Sequence, residues 1–151
     1  MELQTHRLKI LPCTEELLIT ISDEDYEIGP HIEHYVKELK ADPTLLGWGV
    51  WFVIEKESNS IIGDIGFKGK PDSTNAVEVG YGMKTYAQNK GYATESVMEI
   101  IKWAFTFEDV DKVKAECYED NLPSIRVLEK LNMKKVGRSE NMLKWELNKY
   151  S

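Results

Sequence analysis

Cysteine, basic residues and long apolar runs are all scarce in this sequence. Cys13 and Cys117 are the only cysteines among its 151 residues, which excludes a zinc site built on thiolates and gives no indication of a disulfide. Nineteen Lys and Arg stand against 26 Asp and Glu, a net charge of −7, whereas a protein that binds a nucleic-acid backbone normally has a basic surface. No apolar run approaches membrane-spanning length. We therefore expect neither a nucleic acid nor a membrane as a partner.

The sequence also shows no dividing linker, no internal repeat and no apolar segment at its N-terminus. Hydrophobic residues make up 42% and charged residues 30% of the chain, which is the composition of a folded domain. The length is that of one ordinary domain. We expect a single domain over residues 1–151, located in the cytoplasm, with both thiols reduced.

The hydrophobic pattern changes along the chain between the period of a strand and that of a helix. Alternating or short apolar runs predict strands, and apolar residues three and four apart predict helices. The predicted strands cover 7–11, 50–54, 61–67, 76–83, 111–118, 134–137 and 142–147, and the predicted helices begin at Thr14 and cover 32–39, 92–107 and 124–131. This order predicts a mixed α/β fold with helices on a largely antiparallel sheet.

The segment from Gln88 to Thr94 has the composition of an anion site. It joins the predicted strand 76–83 to the longest predicted helix, and the first backbone N–H groups of a helix are free to bind a pyrophosphate. Gly91 allows a ligand to approach the backbone, Ala93 keeps the first turn free of bulk, and Lys90 adds a positive charge. The alternative, which this local pattern leaves open, is a helix start at which Gly91 merely turns the chain.

The spacing Gln88-x-x-Gly91-x-Ala93 after a strand resembles the acyl-CoA-binding signature of the GNAT acyltransferase superfamily. Four further segments, in the same order, resemble the branch of ribosomal-protein N-terminal acetyltransferases: 5–10, 61–66, 78–81 and 121–131. The resemblance extends over nearly the whole chain. It implies a GNAT fold with helices on both faces of the sheet, acetyl-CoA as the acyl donor and an amine as the acceptor.

The resemblance also assigns roles to individual residues. Met83 would pair through its backbone with the pantetheine arm, and Asn121 and Ser124 would lie near the thioester. The pyrophosphate would be held by a contiguous group of residues, namely Gln88, Asn89, Lys90, Gly91, Tyr92, Ala93 and Thr94. Many relatives carry a tyrosine acid one helical turn beyond Ser124, where this sequence has Leu128, so Ser124 becomes the candidate that protonates the departing thiolate.

Glu78 is the candidate general base. It alternates with apolar neighbours in the predicted strand, and the resemblance puts it on the acceptor side of the sheet, where a carboxylate could take the amine proton through a water. A structural ion pair or a solvated strand carboxylate is the alternative. For His31 and His34, three residues apart, a solvated helix face is favoured over a metal site because no third ligand has matching spacing. The acidic run 23–25 would border the acceptor cleft.

These observations predict an N-acetyltransferase that works by direct transfer in a ternary complex, without a metal. The acceptor is left open between a protein N-terminus and a small-molecule amine, and a homodimer is left open as well. The alternative function is a non-catalytic acyl-CoA-binding or interaction domain that has kept the fold.

Overall fold

A computed structural model describes residues 1–21 and 26–150. Its eight strands form one sheet in the order β1-β2-β3-β4-β5-β6-β8-β7. The strands are β1 (Leu3–Gln4), β2 (Leu8–Pro12), β3 (Val50–Glu55), β4 (Ser60–Phe67), β5 (Ala76–Met83), β6 (Lys112–Tyr118), β7 (Lys134–Ser139) and β8 (Met142–Asn148). Neighbouring strands run antiparallel except β5 and β6, which are parallel.

Four helices flank the sheet: α1 (Glu15–Ile21), α2 (Pro30–Ala41), α3 (Tyr92–Ala104) and α4 (Leu122–Lys130). Proline stands in the first turn of α2 and of α4, where its fixed φ suits a helix and its missing N–H is no loss. The side chain of Thr14 accepts a hydrogen bond from the Leu17 N–H (3.1 Å) at the start of α1. Two short 3-10 helices cover Pro43–Leu45 and Thr85–Ala87. No helix within residues 1–21 and 26–150 is long and apolar enough to cross a membrane.

The sheet has a separate apolar core on each face. In β3, Trp51 and Val53 pack with residues of α3 and α4, whereas Phe52 and Ile54 pack with residues of α2. This alternation is the period of two that a strand buried on both faces imposes. Each cysteine lies free in one of the two cores, and burial raises the pKa of Cys13 to about 12.

The predicted fold class, a mixed and mostly antiparallel sheet with helices on both faces, is confirmed. The helix predicted over 92–107 ends earlier, at Ala104, and is followed by turns in which the N–H groups of Thr106 and Phe107 bond to carbonyls three residues back. The two-residue strand β1 was not predicted because two residues carry no period. The acidic run 23–25 lies outside the described residues.

The parallel pair β5 and β6 positions the site. The two strands pair only where Ala76, Val77 and Glu78 face Lys112 to Lys114. Beyond Glu78, β5 continues to Met83 paired with β4 alone, while β6 continues paired with β8. The two halves of the sheet therefore diverge, and the backbone edge of β5 between Val79 and Met83 is left open toward the gap.

Candidate active site

A cavity of about 660 Å³ lies where β5 leaves β6, on the side of α3 and α4. It is lined by the end of β5, the loop into α3, the first turn of α3, and α4 along most of its length. The lining residues are Tyr81, Gly82, Met83, Ala87, Gln88, Asn89, Gly91, Tyr92, Ala93, Thr94, Asn121, Pro123, Ser124, Arg126, Val127 and Lys130. We call it the donor cavity.

The loop into α3 has a backbone shape that presents free N–H groups. Asn89 (φ 61°) and Gly91 (φ 83°) both adopt left-handed backbone, a conformation that glycine and asparagine tolerate best. Gly91 caps α3, and among the described residues no side chain makes a capping hydrogen bond at the start of this thirteen-residue helix. Free N–H groups and the positive end of a helix dipole together suit a phosphate group.

Arg7 holds this loop from the N-terminal end of β2. Its Nη2 donates to the Lys90 carbonyl (3.0 Å), its Nε donates to Glu95 Oε1 (2.9 Å), and its guanidinium lies 4.2 Å from the ring centroid of Tyr92. Thr5 also donates to the Glu95 carboxylate. Burial opposes ionisation of Glu95, but the hydrogen bonds from Thr5 and Arg7 outweigh it and lower the pKa of the carboxyl.

The donor cavity brings together most of the residues that the sequence singles out for the acyl donor. Lys90 is the exception, since it lies outside the lining and contributes its carbonyl to Arg7. Tyr92 touches the cavity, but its side chain is buried and its hydroxyl donates to Glu55. Gln88 Nε2 donates to the Met83 carbonyl (3.2 Å), and Asn121 caps α4 by accepting from the Ser124 N–H (3.2 Å).

Two basic residues of this cavity are missing from the sequence-based prediction. Arg126 and Lys130 both line it from α4. Their spacing of four residues places them on one face of the helix, and that spacing is the signal that could have found them. They supply positive charge to a cavity in a chain of net charge −7, which suits an anionic ligand.

The Ser124 hydroxyl is hydrogen-bonded to the side chain of Tyr81. The sequence analysis does not include Tyr81 among the site residues. The hydroxyl of Tyr81 lies 2.7 Å from Ser124 Oγ. Burial raises the pKa of Tyr81 and outweighs the hydrogen bond with Ser124, which lowers it, so the phenol stays protonated at neutral pH. The pair thus places two hydroxyl groups at the gap between β5 and β6.

A second cavity, of about 700 Å³, lies on the other face of the sheet, under α2. We call it the acceptor cavity. Its lining residues are His31, His34, Tyr35, Glu38, Leu45, Trp48, Gly49, Val50, Asp64, Ile65, Gly66, Phe67, Lys68, Gly69, Gly80, Tyr81 and Gly82. Tyr81 and Gly82 line both cavities, so the two spaces meet at the end of β5.

Glu78 lies on the acceptor face of β5 but lines neither cavity. Its carboxylate forms an ion pair with Lys68, in which Nζ lies 2.6 Å from Oε2. The Lys68 N–H also bonds to the Glu78 carbonyl (2.9 Å) and extends the ladder between β4 and β5. This geometry is that of the alternative, a structural ion pair, and the role of Glu78 as a base stays a prediction.

His31 and His34, for which a solvated helix face was favoured, are exposed but line the acceptor cavity. His31 Nε2 lies 3.0 Å from Asp64 Oδ1, and the hydroxyl of Tyr26 donates to the other oxygen of Asp64. His34 Nε2 lies 2.8 Å from Glu38 Oε1. Within the described residues, no group of three or more His, Cys, Asp or Glu is arranged to hold a metal ion.

Comparison with known proteins gives the family. Residues 19–134 match the acetyltransferase (GNAT) domain, more than half of the chain. The chain belongs to the GNAT acetyltransferase family. It is 30% identical over 146 residues, 85% of this chain and 87% of the relative, to the uncharacterized N-acetyltransferase YjdG of Bacillus subtilis (strain 168).

Solved structures share the GNAT fold over nearly the whole length. The ribosomal-protein-S5-alanine acetyltransferase of Vibrio fischeri matches with a TM-score of 0.76 at 16% identity, over 99% of this chain and 97% of that one. RimL, a ribosomal L7/L12 alpha-N-protein acetyltransferase in complex with coenzyme A, matches with a TM-score of 0.74 at 13% identity, over 98% of each chain. The domain match and the curated relative confirm the family that the sequence resembles, and this GNAT protein is an acetyl-CoA-dependent acyltransferase.

Proposed function

We propose that this protein transfers an acetyl group from acetyl-CoA directly to a primary amine, with both substrates bound at once. One observation carries the proposal: the donor cavity and the acceptor cavity open on opposite faces of the sheet and meet at Tyr81 and Gly82. A thioester that enters from one side can therefore meet an amine that enters from the other. Holding two reactants in this way is by itself a large catalytic term.

The donor cavity suits coenzyme A in shape and charge. The pyrophosphate would lie on the first-turn N–H groups of Tyr92, Ala93 and Thr94, with Gln88, Asn89 and Gly91 around it. Arg126 and Lys130 would add their charge to the phosphate groups, with Lys90 at the outer side. The pantetheine arm would run along the open edge of β5 to Met83, and Asn121 would keep the first turn of α4 in place beside the thioester.

In the proposed reaction, the amine nitrogen attacks the thioester carbonyl carbon, a C–N bond forms, and the C–S bond breaks. A backbone N–H between Val79 and Tyr81 would stabilise the developing oxyanion. The amine loses one proton to a base, and the thiolate gains one. Ser124, hydrogen-bonded to Tyr81, is the proposed donor of that second proton.

Glu78 remains the base that the sequence predicts, and two features weaken its case. A general base has to come within hydrogen-bond reach of the proton that it removes, directly or through one water. The Glu78 carboxylate is already paired with Lys68 and lies outside both cavities. Comparing the pH–rate profiles of variants decides whether Glu78 or another group is the general base.

The acceptor cavity favours a cationic substrate. Asp64 and Glu38 contribute carboxylates to its lining, and Trp48, Phe67 and Tyr35 contribute aromatic surface, a combination that suits an ammonium group. The structural relatives named above act on ribosomal proteins. A protein N-terminus and a small-molecule amine are both acceptors of this class.

The decisive experiment measures thiol release from acetyl-CoA with a panel of amines: peptides that begin with Ala or Ser, spermidine, and Nα-protected lysine. We expect release that depends on one class of amine, with the acetylated product identified by mass. Coenzyme A at 100 times its dissociation constant should add about 2.7 kcal/mol to the free energy of unfolding. Stabilisation without release for any amine would contradict the proposed transfer, and no stabilisation would contradict the donor site.

A further inference from the structure

We propose that the pair His31–Asp64, rather than Glu78, accepts the proton that the acceptor amine gives up. The inference rests on the proposed function, because it names the base of the proposed transfer. Four features of the described residues support it: the position of Asp64 in the sheet, the hydrogen bonds that it makes, the exposure of His31, and the distance of Glu78 from the junction of the cavities.

Asp64 lies beside the point where the two cavities meet. It is directly opposite Gly82 in the antiparallel pair of β4 and β5, and Gly82 lines both cavities. Opposed residues of such a pair carry their side chains on the same face, with Cβ atoms about 5 Å apart. Because Gly82 has no side chain, and a Cβ there would meet no atom of the described residues within 4 Å, these residues leave the space next to Asp64 open to a substrate.

The hydrogen bonds of Asp64 fix the state of His31. Tyr26 donates its hydroxyl to one carboxylate oxygen, and His31 Nε2 lies 3.0 Å from the other. An ionised carboxylate only accepts hydrogen bonds, so we assign the proton of the neutral imidazole to Nε2, which leaves Nδ1 as the basic nitrogen. Nδ1 lies on the side of the ring that faces Gly29, where an added Cβ would be 3.1 Å from it.

This arrangement can carry a proton from the amine to water. The amine nitrogen transfers its proton to Nδ1, directly or through one water, and the imidazolium that forms is stabilised by the Asp64 carboxylate. The side chain of His31 is 61% exposed, whereas that of Asp64 is 21% exposed. His31 can therefore return the proton to solvent after each turnover, while Asp64 orients the ring from inside the cavity.

Glu78 lies on the same face of the sheet as Asp64 but is farther from the junction of the two cavities. It precedes Gly82 by four residues of β5, which is about 13 Å along a strand. Its carboxylate is also engaged by Lys68. Glu78 lines neither cavity, whereas Asp64 lines the acceptor cavity and is the direct neighbour of Gly82 in the next strand.

Other charged and titratable groups surround the pair. Tyr26 bonds to Asp64, and Lys84 lies 5.5 Å from the ring centroid of Tyr26. Burial, and to a smaller extent the charge of Asp64, raises the pKa of Cys13. The remaining groups line the same cavity: His34, Tyr35 and Glu38 on α2, Lys68 beyond the end of β4, and Tyr81 on β5.

The test is a comparison of pH–rate profiles for the parent and the variants His31→Gln, Asp64→Asn and Glu78→Gln, with an amine that the panel shows to be acetylated. We expect His31→Gln and Asp64→Asn to lower kcat/KM at neutral pH by about 100-fold, the order of a general-base contribution. The deficit should shrink as the pH rises, because the free amine then becomes abundant without help. Glu78→Gln should stay within about threefold of the parent.

Matched controls exclude a general effect of the substitutions. His6→Gln and Asp109→Asn change the same residue types at exposed positions outside both cavities, and should leave the profile unchanged. Coenzyme A affinity and the circular dichroism spectrum should be parental in every variant. Imidazole added to His31→Ala should restore part of the rate, which it would not do if His31 were only structural.

A nitrogen-15 spectrum of the imidazoles provides a readout that needs no acceptor. The chain has 3 histidines, so the signals can be assigned with the variants of His6 and His31. We expect the Nε2–H form for His31, and a shift of this equilibrium in Asp64→Asn.

The outcomes separate the inference from the proposed function. Parental rates for both His31→Gln and Asp64→Asn, or a large loss confined to Glu78→Gln, would overturn the role of the pair while acetyl transfer stands. The Nδ1–H form for His31 would also overturn it. Failure of the parent protein to acetylate any amine would overturn the proposed function itself. If Asp64→Asn does not fold, His31→Gln and the imidazole rescue decide.

Discussion

The donor cavity and the acceptor cavity are built in different ways. Most of the donor cavity comes from two stretches of chain, 81–94 and 121–130, and its anion site consists of backbone N–H groups at the start of α3. The acceptor cavity takes its side chains from α2, a 3-10 helix, three strands and the connections between them. A site made of local backbone leaves a contiguous signature in the sequence, whereas a site made of scattered side chains leaves none.

Because they are built differently, we expect the two cavities to recognise different kinds of ligand. Backbone N–H groups and a helix N-terminus bind any phosphate, and they need only glycine or small residues around them. The side chains under α2 can change one at a time without disturbing the donor cavity on the other face. Under the proposed function, we expect the backbone of the donor cavity to bind the common donor and the side chains of the acceptor cavity to select the acceptor.

The largest expected effect comes from closing the junction of the two cavities with Gly82→Leu. A Cβ at Gly82 meets no atom of residues 1–21 or 26–150 within 4 Å, so the fold should tolerate the change. The side chain would project beside Asp64 and keep the amine from the thioester. We expect turnover to fall by about 100-fold, the order of effect of a misplaced reactant, while the circular dichroism spectrum stays that of the parent.

Gly137→Leu is the matched control, because Gly137 also stands in a strand with open space around it, and lies outside both cavities. It should keep parental turnover. Parental turnover for Gly82→Leu as well would mean that acetyl transfer does not take place at the end of β5.

A smaller effect, confined to the donor side, is expected from Gly91→Val. The left-handed backbone at Gly91 (φ 83°) disfavours a branched side chain by about 1–2 kcal/mol, and a Cβ there would lie 3.3 Å from Arg7 Nη2. We expect the free energy of unfolding to fall by that amount, and the affinity for coenzyme A to fall by about tenfold, equivalent to ~1.4 kcal/mol.

Gly69→Val is the control that separates the loss of stability from the loss of coenzyme A affinity. Gly69 has similar backbone (φ 101°) with nothing near its Cβ position, but it lines the acceptor cavity. It should lose stability to a similar extent while the affinity for coenzyme A is unchanged. Equal coenzyme A affinities for the parent and a folded Gly91→Val would reduce Gly91 to a turn residue.

The smallest effect concerns the contact that fixes the donor loop to β2. The pKa of Glu95 is lower in the folded protein than in the unfolded chain, so this carboxylate stabilises the fold above the unfolded value of about 4.3 and loses that contribution as the pH falls through the folded value. Because Arg7 is 38% exposed, we expect Glu95→Gln to cost only about 1 kcal/mol at pH 7. Urea unfolding should show this cost shrinking below about pH 4.

Glu99→Gln, one turn further along α3, is the control for removing a carboxylate from this helix. A cost for Glu95→Gln that is the same at pH 7 and pH 3.5 would show that the ion pair with Arg7 contributes nothing. The contact would then serve packing alone.

Much of the donor cavity could be predicted from the sequence, because its loop is formed by residues that are close together in the chain. The segment from Gln88 to Thr94 combines a strand end, left-handed positions and a helix start within a few residues. Its shape follows from glycine and asparagine backbone preferences and from the free N–H groups of one helix. Arg126 and Lys130 could have been added from their spacing on α4.

The acceptor side could not be predicted in the same way. Asp64 is separated in sequence from His31 by 33 residues and from Tyr26 by 38, and no local pattern relates them. The sequence instead favoured Glu78. Its alternation with Val77 and Val79 indicates that it lies on the opposite face of β5 from these two residues, as the structure shows. The alternation does not indicate its ion pair with Lys68 or its distance from the end of the strand.

By itself, the sequence determined the periods of the strands and helices, the mixed α/β class and the tight loop that begins α3, because each depends on residues a few positions apart. Only the tertiary structure decided which side chains meet at the junction of the two cavities. The register of β4 against β5 puts Asp64 opposite Gly82, and the packing of α2 on the sheet brings His31 to Asp64. Such contacts depend on how the whole apolar surface is buried, and no single stretch of sequence contains that information.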